Sequence, residues 1–298
     1  MTSVLQMNSA DSAKPANAAN GGDKNSYLAM VGDAKAEVER LQVQHRWIQM
    51  CLKDRIAFAP VDLKKEGLKV LDMGCADGTL LRDLQKQVPP SAELVGADVS
   101  TVFMPTSAQG NISYVTQDAC DPPAGDLKGK FDMTHVRNVL HSTSRSGVEK
   151  AVANLAETLA PGGWLQAMEL DVSTEHPDQP QALKDVIKII GTMMEKAGMD
   201  RGYQQKLPGA FKKAGLENVT MEKVNCGVGR VHANDEDMRR SIEPFMRTIP
   251  LVTGQAKVMC PEIPASFFEG LQERYIKDMT EKGGFFPGFI VYGQKPRE

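Results

Sequence analysis

Residues 70–78 read Val-Leu-Asp-Met-Gly-Cys-Ala-Asp-Gly, and a second apolar run, Glu93-Leu-Val-Gly-Ala-Asp98, ends in a carboxylate. This pair constrains the fold more than any other feature of the chain. A short buried strand runs into a glycine-bearing turn, a helix follows, and the next strand stops at an acid. Two strands joined through a helix lie side by side in the same direction, so the unit predicts a parallel sheet. It also makes a place for a nucleoside. The turn lets backbone approach a ligand, and the carboxylate at the strand end accepts ribose hydroxyls.

The same alternation continues along the chain. Strands are expected at Lys69–Met73, Leu94–Ala97, Ile112–Thr116, Phe131–Val136 and Trp164–Glu169. The intervening helices are expected at Thr79–Gln87, stopped by Pro89-Pro90, and at Val148–Leu159, stopped by Pro161-Gly162-Gly163. Before them, helical spacing over residues 33–58 predicts one helix, ended by Pro60. After them come helices at Gln181–Lys196 and Leu207–Lys213, a sixth strand at Leu216–Val224 and a last strand at Phe289–Tyr292. Residues 230–283 read as interrupted helix, including Asp235–Phe245 and Ala265–Thr280, and so as a cap, because a structureless loop of that length is rare in a compact domain. Residues 1–24 are rich in Ala, Asn, Ser and Gly, too poor in apolar groups to offset their ordering entropy, which predicts a disordered tail.

Composition narrows the function classes. A net charge of −3 and a pI of about 6.0 give no electrostatic grip on nucleic acid, and no basic strip interleaved with aromatics is present. No apolar run approaches the ~18 residues of a membrane span. The five cysteines (51, 75, 120, 226 and 260) are scattered and form no CxxC pair, which argues against a zinc site or a disulfide framework. A reducing, cytoplasmic location is expected.

The charges around the glycine turn choose among ligands. A dinucleotide turn reads GxGxxG and seats a pyrophosphate on the helix N-terminus. Here position 76 is Ala, and two acids, Asp72 and Asp77, flank the turn. Acids repel a pyrophosphate but suit a ligand bearing an ammonium and a sulfonium, so the turn favours S-adenosylmethionine over NAD. Cys75, Ala76 and Val99 accompany the binding turn and the strand-two acid. At the end of strand three, the Asp118 carboxylate can accept the adenine amino group while the Ala119 N–H donates to a ring nitrogen. Arg137 and Asn138, ending strand four, are expected against the cofactor's methionine carboxylate or against backbone. Asp77 has two readings, a cap on the following helix or a cofactor contact. Cys75 reads better as a small packing residue than as a nucleophile, since its near neighbours are acids.

The segments VLDMGCADG, GADVS, QDACDP, FDMTHVRNVLH and LAPGGWLQAMELD, in this order, resemble the successive motifs of class I S-adenosylmethionine-dependent methyltransferases. The resemblance covers residues 68–172 together with the last two strands. It implies an α/β fold: a Rossmann-like, seven-stranded, mostly parallel sheet with helices on both faces, plus a helical cap. The implied organisation is a helical segment at 25–60 over the cofactor site, a core at 61–229, a cap insertion at 230–284 and a final strand at 285–298. It further implies that Asp72 and Gly74 sit by the methionine moiety, that Gly78 admits the cofactor, that Asp98 binds ribose and that Asp118 binds adenine. Many members carry Glu where this chain has Asp98. The stretch Glu39-Arg-Leu-Gln-Val-Gln-His45 is similar to the ERLxxQH segment of fungal secondary-metabolite methyltransferases, a group that includes gliotoxin-type N-methyltransferases and the regulator LaeA.

Methyl transfer needs a general base only when the acceptor arrives protonated. His141, after strand four, is the candidate; its alternative is a structurally partnered helix-face histidine. His135, within the strand, reads as packed core. Glu169 and Asp171 end strand five at the same rim, where they either orient the acceptor or shape a turn. Gln44, His45, Arg46 and Trp47 lie on the first helix, and Tyr27 before it is a further candidate to close the site. Met238, Phe245, Met246, Ile249, Met259, Phe267 and Phe268 either line an apolar acceptor pocket or fill the cap's core. The expected activity is methyl transfer to O, N or S of a small, partly apolar natural product. Two rivals share the cofactor fold: a LaeA-like regulatory protein, and a cyclase in which the sulfonium acts only electrostatically.

Overall fold

The computed structural model describes residues 33–298. The expected tail at 1–24 and Tyr27 lie outside them. Seven strands form one sheet in the order β3-β2-β1-β4-β5-β7-β6. They are β1 (Lys69–Met73), β2 (Glu93–Asp98), β3 (Ile112–Thr116), β4 (Phe131–Arg137), β5 (Leu159–Leu170), β6 (Glu217–Val228) and β7 (Gly284–Gln294). The first five run parallel, and β7 is antiparallel to both neighbours. The order reverses between β1 and β4, which opens a crevice at their C-terminal ends.

Helix α1 (Ala34–Cys51) starts at Asp33, whose side chain accepts from Lys35 N–H (2.9 Å) and Ala36 N–H (3.3 Å). It stops earlier than the spacing predicts. Lys53 and Asp54 take left-handed backbone (φ 53° and 59°), and the chain then runs extended along β5. Gln166 of β5 holds it there: its Oε1 accepts from Phe58 N–H (2.6 Å) and Ala59 N–H (2.9 Å), and its Nε2 donates to Ile56 O (2.8 Å). A buried amide that satisfies three backbone groups outcompetes another helical turn.

Other boundaries moved as well: β6 runs on to Val228, β7 begins at Gly284, and the last helix begins at Leu271. Strand β5 begins at Leu159 rather than Trp164, because Pro161-Gly162-Gly163 is absorbed as a bulge: Phe131 pairs with Leu159, the register shifts, and Met133 pairs with Trp164. Beyond β6, α6 (Asp235–Met259) runs unbroken through Pro244 and Pro250. Pro250 cannot bond the Met246 carbonyl, but Gln272 Nε2, from α7 (Leu271–Glu281), donates to it at 3.0 Å. The remaining helices, α2 (Thr79–Gln85), α3 (Val148–Glu157), α4 (Gln181–Lys196) and α5 (Leu207–Lys213), flank the sheet.

Helices α1, α4, α6 and α7 share one core with the β5–β7 end of the sheet. Trp47 is its centre, fully buried, with edge contacts to Phe245 (5.8 Å) and Phe286 (6.0 Å) and its indole N–H on Gly227 O (2.8 Å). Phe245 stacks on Phe286 at 4.0 Å. The first helix is thereby fixed against the cap over the crevice. Among the described residues, no helix is long and apolar enough to cross a membrane.

Candidate active site

The β1–α2 turn is built by backbone. Gly74, Ala76 and Gly78 take left-handed conformations (φ 77°, 47° and 76°). A Cβ on Gly74 would stand 2.2 Å from Val139 Cγ2, and one on Gly78 would stand 2.3 Å from the Tyr114 hydroxyl oxygen. Neither position tolerates a side chain. Gly74 and Cys75 N–H donate to Ala97 O (2.7 and 3.0 Å), and Ala76 N–H donates to Asp98 Oδ2 (3.0 Å). The turn's leading amides are therefore held by β2. They form no nest for a phosphate, which separates this turn from a dinucleotide site.

Asp98 is set between backbone donors, with Ser100 N–H on Oδ1 (2.9 Å) opposite Ala76 on Oδ2. Burial pushes its carboxyl upward, and these hydrogen bonds oppose the shift. Each oxygen keeps a lone pair for a hydroxyl donor. The Ser100 hydroxyl beside it is buried without a partner among the described residues. Asp72 lies on β1 opposite His135 of β4, and the two side chains pair at 2.8 Å, both buried. His135 is thus the packed residue expected of it, and Asp72 keeps one carboxylate oxygen beyond that bond. Asp118 accepts from Cys120 N–H (2.8 Å) and from Arg145 Nη2 (2.9 Å), and the same guanidinium reaches Asp121 (2.8 Å). Ala119 and Cys75 are buried, Val99 half-buried. Burial and the acids Asp72 and Asp98 drive the Cys75 thiol far up, which removes it as a nucleophile.

Asp77 precedes Gly78, the N-cap of α2, and its carboxylate is engaged by the protein on several sides. It accepts from Thr79 N–H (3.2 Å), Arg82 Nη2 (2.7 Å) and Gln42 Nε2 of α1 (2.8 Å). Burial raises its pKa, but these bonds outweigh it and hold the carboxyl below its ordinary value. A second clasp joins α1 to the same helix, since His45 Nε2 reaches Asp83 Oδ2 at 2.9 Å.

The far rim is made by distant residues. Arg137 donates to His45 Nδ1 (2.7 Å). Asn138 is left-handed (φ 53°), and its side-chain oxygen accepts from Leu170 N–H (2.9 Å), so it ties β4 to β5. Glu169, fully buried, accepts from Val139 N–H (3.1 Å), Leu140 N–H (3.3 Å) and the Tyr203 hydroxyl (2.5 Å). Burial pushes its pKa up to about 7, against the pull of these donors. Asp171 shapes a turn through Ser173 and Thr174 N–H, both at 3.0 Å. His141 stands exposed on the turn that Glu169 fixes, yet the surrounding protein and the Arg40 guanidinium draw its pKa down to about 4. Of the cap side chains, Phe245 and Ile249 are buried core, Met238, Met246, Phe267 and Phe268 pack partly buried against it, and Met259 is exposed.

Arg145, Tyr114, Tyr203 and Asp83 were not apparent as site residues from the sequence. Arg145, Tyr203 and Asp83 reach their partners, and Tyr114 lies against Gly78, through the fold. Only Tyr114 carried a local signal, its place two residues after Ile112 on the same face of β3.

A glycine-bearing strand-turn-helix whose leading amides are held by β2, an acid at the end of the next strand and a helix docked alongside together frame the candidate site. The methyltransferase-domain family matches residues 42–221, more than half of the chain, and the chain belongs to that family. It is an S-adenosylmethionine-dependent methyltransferase acting on a small-molecule acceptor. Methyltransferase psoC of Aspergillus fumigatus is 28% identical, over 87% of this chain and 94% of its own length. N-methyltransferase sirN of Leptosphaeria maculans is 30% identical, over 92% and 96%. N-methyltransferase verN of Clonostachys rogersoniana is 25% identical, over 93% and 97%. Among solved structures, the methyltransferase held by the Haloferax volcanii Trm112 activator superposes with a TM-score of 0.52 at 17% identity, over 91% of this chain and 98% of its own. That likeness concerns the fold.

Proposed function

We propose that the enzyme methylates a nitrogen of a small, partly apolar natural product in the cytoplasm. Three relatives named N-methyltransferases support nitrogen over oxygen or sulfur. The observation that carries the cofactor side is the Gly74–Gly78 turn locked to Asp98, a cradle with room for backbone approach and an acid with free lone pairs. In this reading Asp98 takes the ribose hydroxyls, Asp118 and Ala119 take adenine, and Asp72, Gly74 and Arg137 surround the amino-acid end. Cys75, Ala76, Gly78 and Val99 line the nucleoside, and Asn138 fixes the strand end that carries Arg137.

When bound, the cofactor supplies an activated methyl on a sulfonium that leaves as a neutral thioether. What the protein adds is alignment of acceptor and methyl, worth on the order of 7–11 kcal/mol at best. The closure of α1 over the crevice by Gln42 and His45 excludes water from that alignment. His141, neutral at pH 7, is a candidate group to take a proton from the acceptor, but it binds one weakly. The cap at 230–284 and the helical segment at 25–60 then serve as two walls of the acceptor pocket, with Met238, Met246, Phe267 and Phe268 available to its apolar side.

The test is incubation with methyl-labelled cofactor and a panel of amine, amide, hydroxyl and thiol metabolites. Labelled product from a nitrogen compound, heavier by one methylene, is expected. Label only on oxygen or sulfur would overturn the choice of acceptor atom.

A further inference from the structure

Among the described residues, one cation in the site is paired with no anion. The β1–β4 ladder pairs Met73 with Val136, so Arg137 follows at the level of Gly74. Among the described residues no carboxylate pairs with Arg137, and its hydrogen bond goes to the imidazole of His45, 92 positions away in sequence. Burial lowers its pKa, and Asp72 and Asp83 act on it only from a distance. A guanidinium stays charged under burial, so this one is poised for an acceptor that arrives with the ligand.

The state of His45 follows from its surroundings. Burial and the Arg137 charge hold its pKa down to about 4, so the ring is neutral at pH 7. Arg137 can only donate, so His45 Nδ1 must carry a lone pair. The proton is then on Nε2, which donates to Asp83 Oδ2 at 2.9 Å, and Lys86 holds the other oxygen of Asp83 at 2.7 Å. His45, Asp83 and Arg137 come from α1, α2 and β4, and Lys86 directly follows α2. The chain Lys86–Asp83–His45–Arg137 exists only while α1 is docked.

We propose that His45 is a positioning residue for the cofactor's amino-acid end. Its Nδ1 anchors one nitrogen of Arg137 and leaves the others for the cofactor carboxylate, while Asp83 fixes the tautomer that makes this possible. Docking of the first helix and recognition of the carboxylate are thereby one event. The proposal rests on the reading above in which Arg137 takes that carboxylate.

The experiment measures binding, not turnover. The full chain is titrated calorimetrically with S-adenosylhomocysteine and with 5′-methylthioadenosine, the same nucleoside without the amino acid. His45→Phe is expected to weaken S-adenosylhomocysteine about tenfold, the scale of one charge-assisted hydrogen bond, and to leave 5′-methylthioadenosine unchanged. His45→Gln restores the affinity, because its amide can accept from Arg137 and donate to Asp83. Equal weakening of both nucleosides by His45→Phe overturns the proposal, as does no weakening of either. Arg137→Met separates the two readings. If it weakens S-adenosylhomocysteine while His45→Phe does not, only the role of His45 falls. If Arg137→Met has no effect, the carboxylate assignment falls as well. Should His45→Phe not fold, Asp83→Ala, which removes the acceptor, replaces it: selective weakening of S-adenosylhomocysteine supports the relay, and unchanged affinity overturns it.

Discussion

The two rims of the crevice are held by different means. On the rim built by the glycine turn, residues 74–78, Asp98 and Asp118 are bound to residues near them in the chain or on the next strand, mostly through backbone: Ala76 and Ser100 on Asp98, Cys120 on Asp118. On the opposite rim, side chains reach across the fold: His45 to Arg137, Tyr203 to Glu169, Trp47 to Gly227. The first rim is a local conformation that the sheet stiffens. The second is a tertiary assembly that depends on α1 and the cap being in place. The first rim is therefore sensitive to single local substitutions, and the second also to residues far from it in sequence.

The largest effect is expected at the tertiary rim. Trp47→Ala removes a fully buried indole and its bond to Gly227, and should cost about 3–5 kcal/mol of stability, read by denaturant unfolding. A loss below about 1 kcal/mol would show that α1 and the cap do not depend on this core.

Glu169 gives the next largest effect, as a pH dependence. Its folded pKa, about 7, lies above the ordinary value of 4.5, so between those limits the folded state holds a proton that the unfolded state has lost. Stability must then fall as pH rises from about 4.5 to 7 and level off above, by up to about 3 kcal/mol from this group. Unfolding free energies of the wild type minus those of Glu169→Gln should show that slope, and a flat difference would place the carboxyl outside the buried pair with Tyr203.

The contrast between the rims also explains what the sequence could convey. The order of the first five strands, the glycine turn and the acid at Asp98 follow from local periodicity and from residue types with few conformational options. The turn role of Asp171 stood as one of two readings, because a short acid before Ser-Thr serves either purpose. Less legible were features created by a distant partner. Gln166 stops α1 short of residue 58, and Gln272 lets α6 pass Pro250, and neither effect has a signature in the affected segment. Asp72 was visible as an acid by the turn, but its pairing with His135 is set by the register of β1 on β4. The cap side chains were ambiguous for the same reason: helical spacing marks an apolar face and does not say whether core or pocket receives it.

At the rim built by the glycine turn, Asp98→Ala should weaken S-adenosylhomocysteine at least tenfold, about 1.4 kcal/mol, with little change in stability beyond the loss of two backbone bonds. Calorimetry decides it. Undiminished affinity would mean that Asp98 serves only to brace Ala76 and Ser100, and the local rim would then be scaffold rather than ligand site.

The smallest effect is expected at His141. A well-matched general base contributes about 10²–10⁴-fold to rate. His141 sits on the turn that Glu169 and Tyr203 fix, but a pKa near 4 leaves it a poor proton acceptor above pH 5. His141→Ala should therefore lower kcat less than tenfold, and the kcat profile of the wild type should stay flat from pH 6 to 8 on account of this group. Desolvation lowers its pKa most, and the Arg40 guanidinium lowers it further. A hundredfold loss in His141→Ala, with a kinetic pKa near 6.5 that vanishes in the variant, would mean that ligand binding restores the imidazole to its ordinary basicity. The second rim would then be assembled chemically, as well as structurally, only when it is filled.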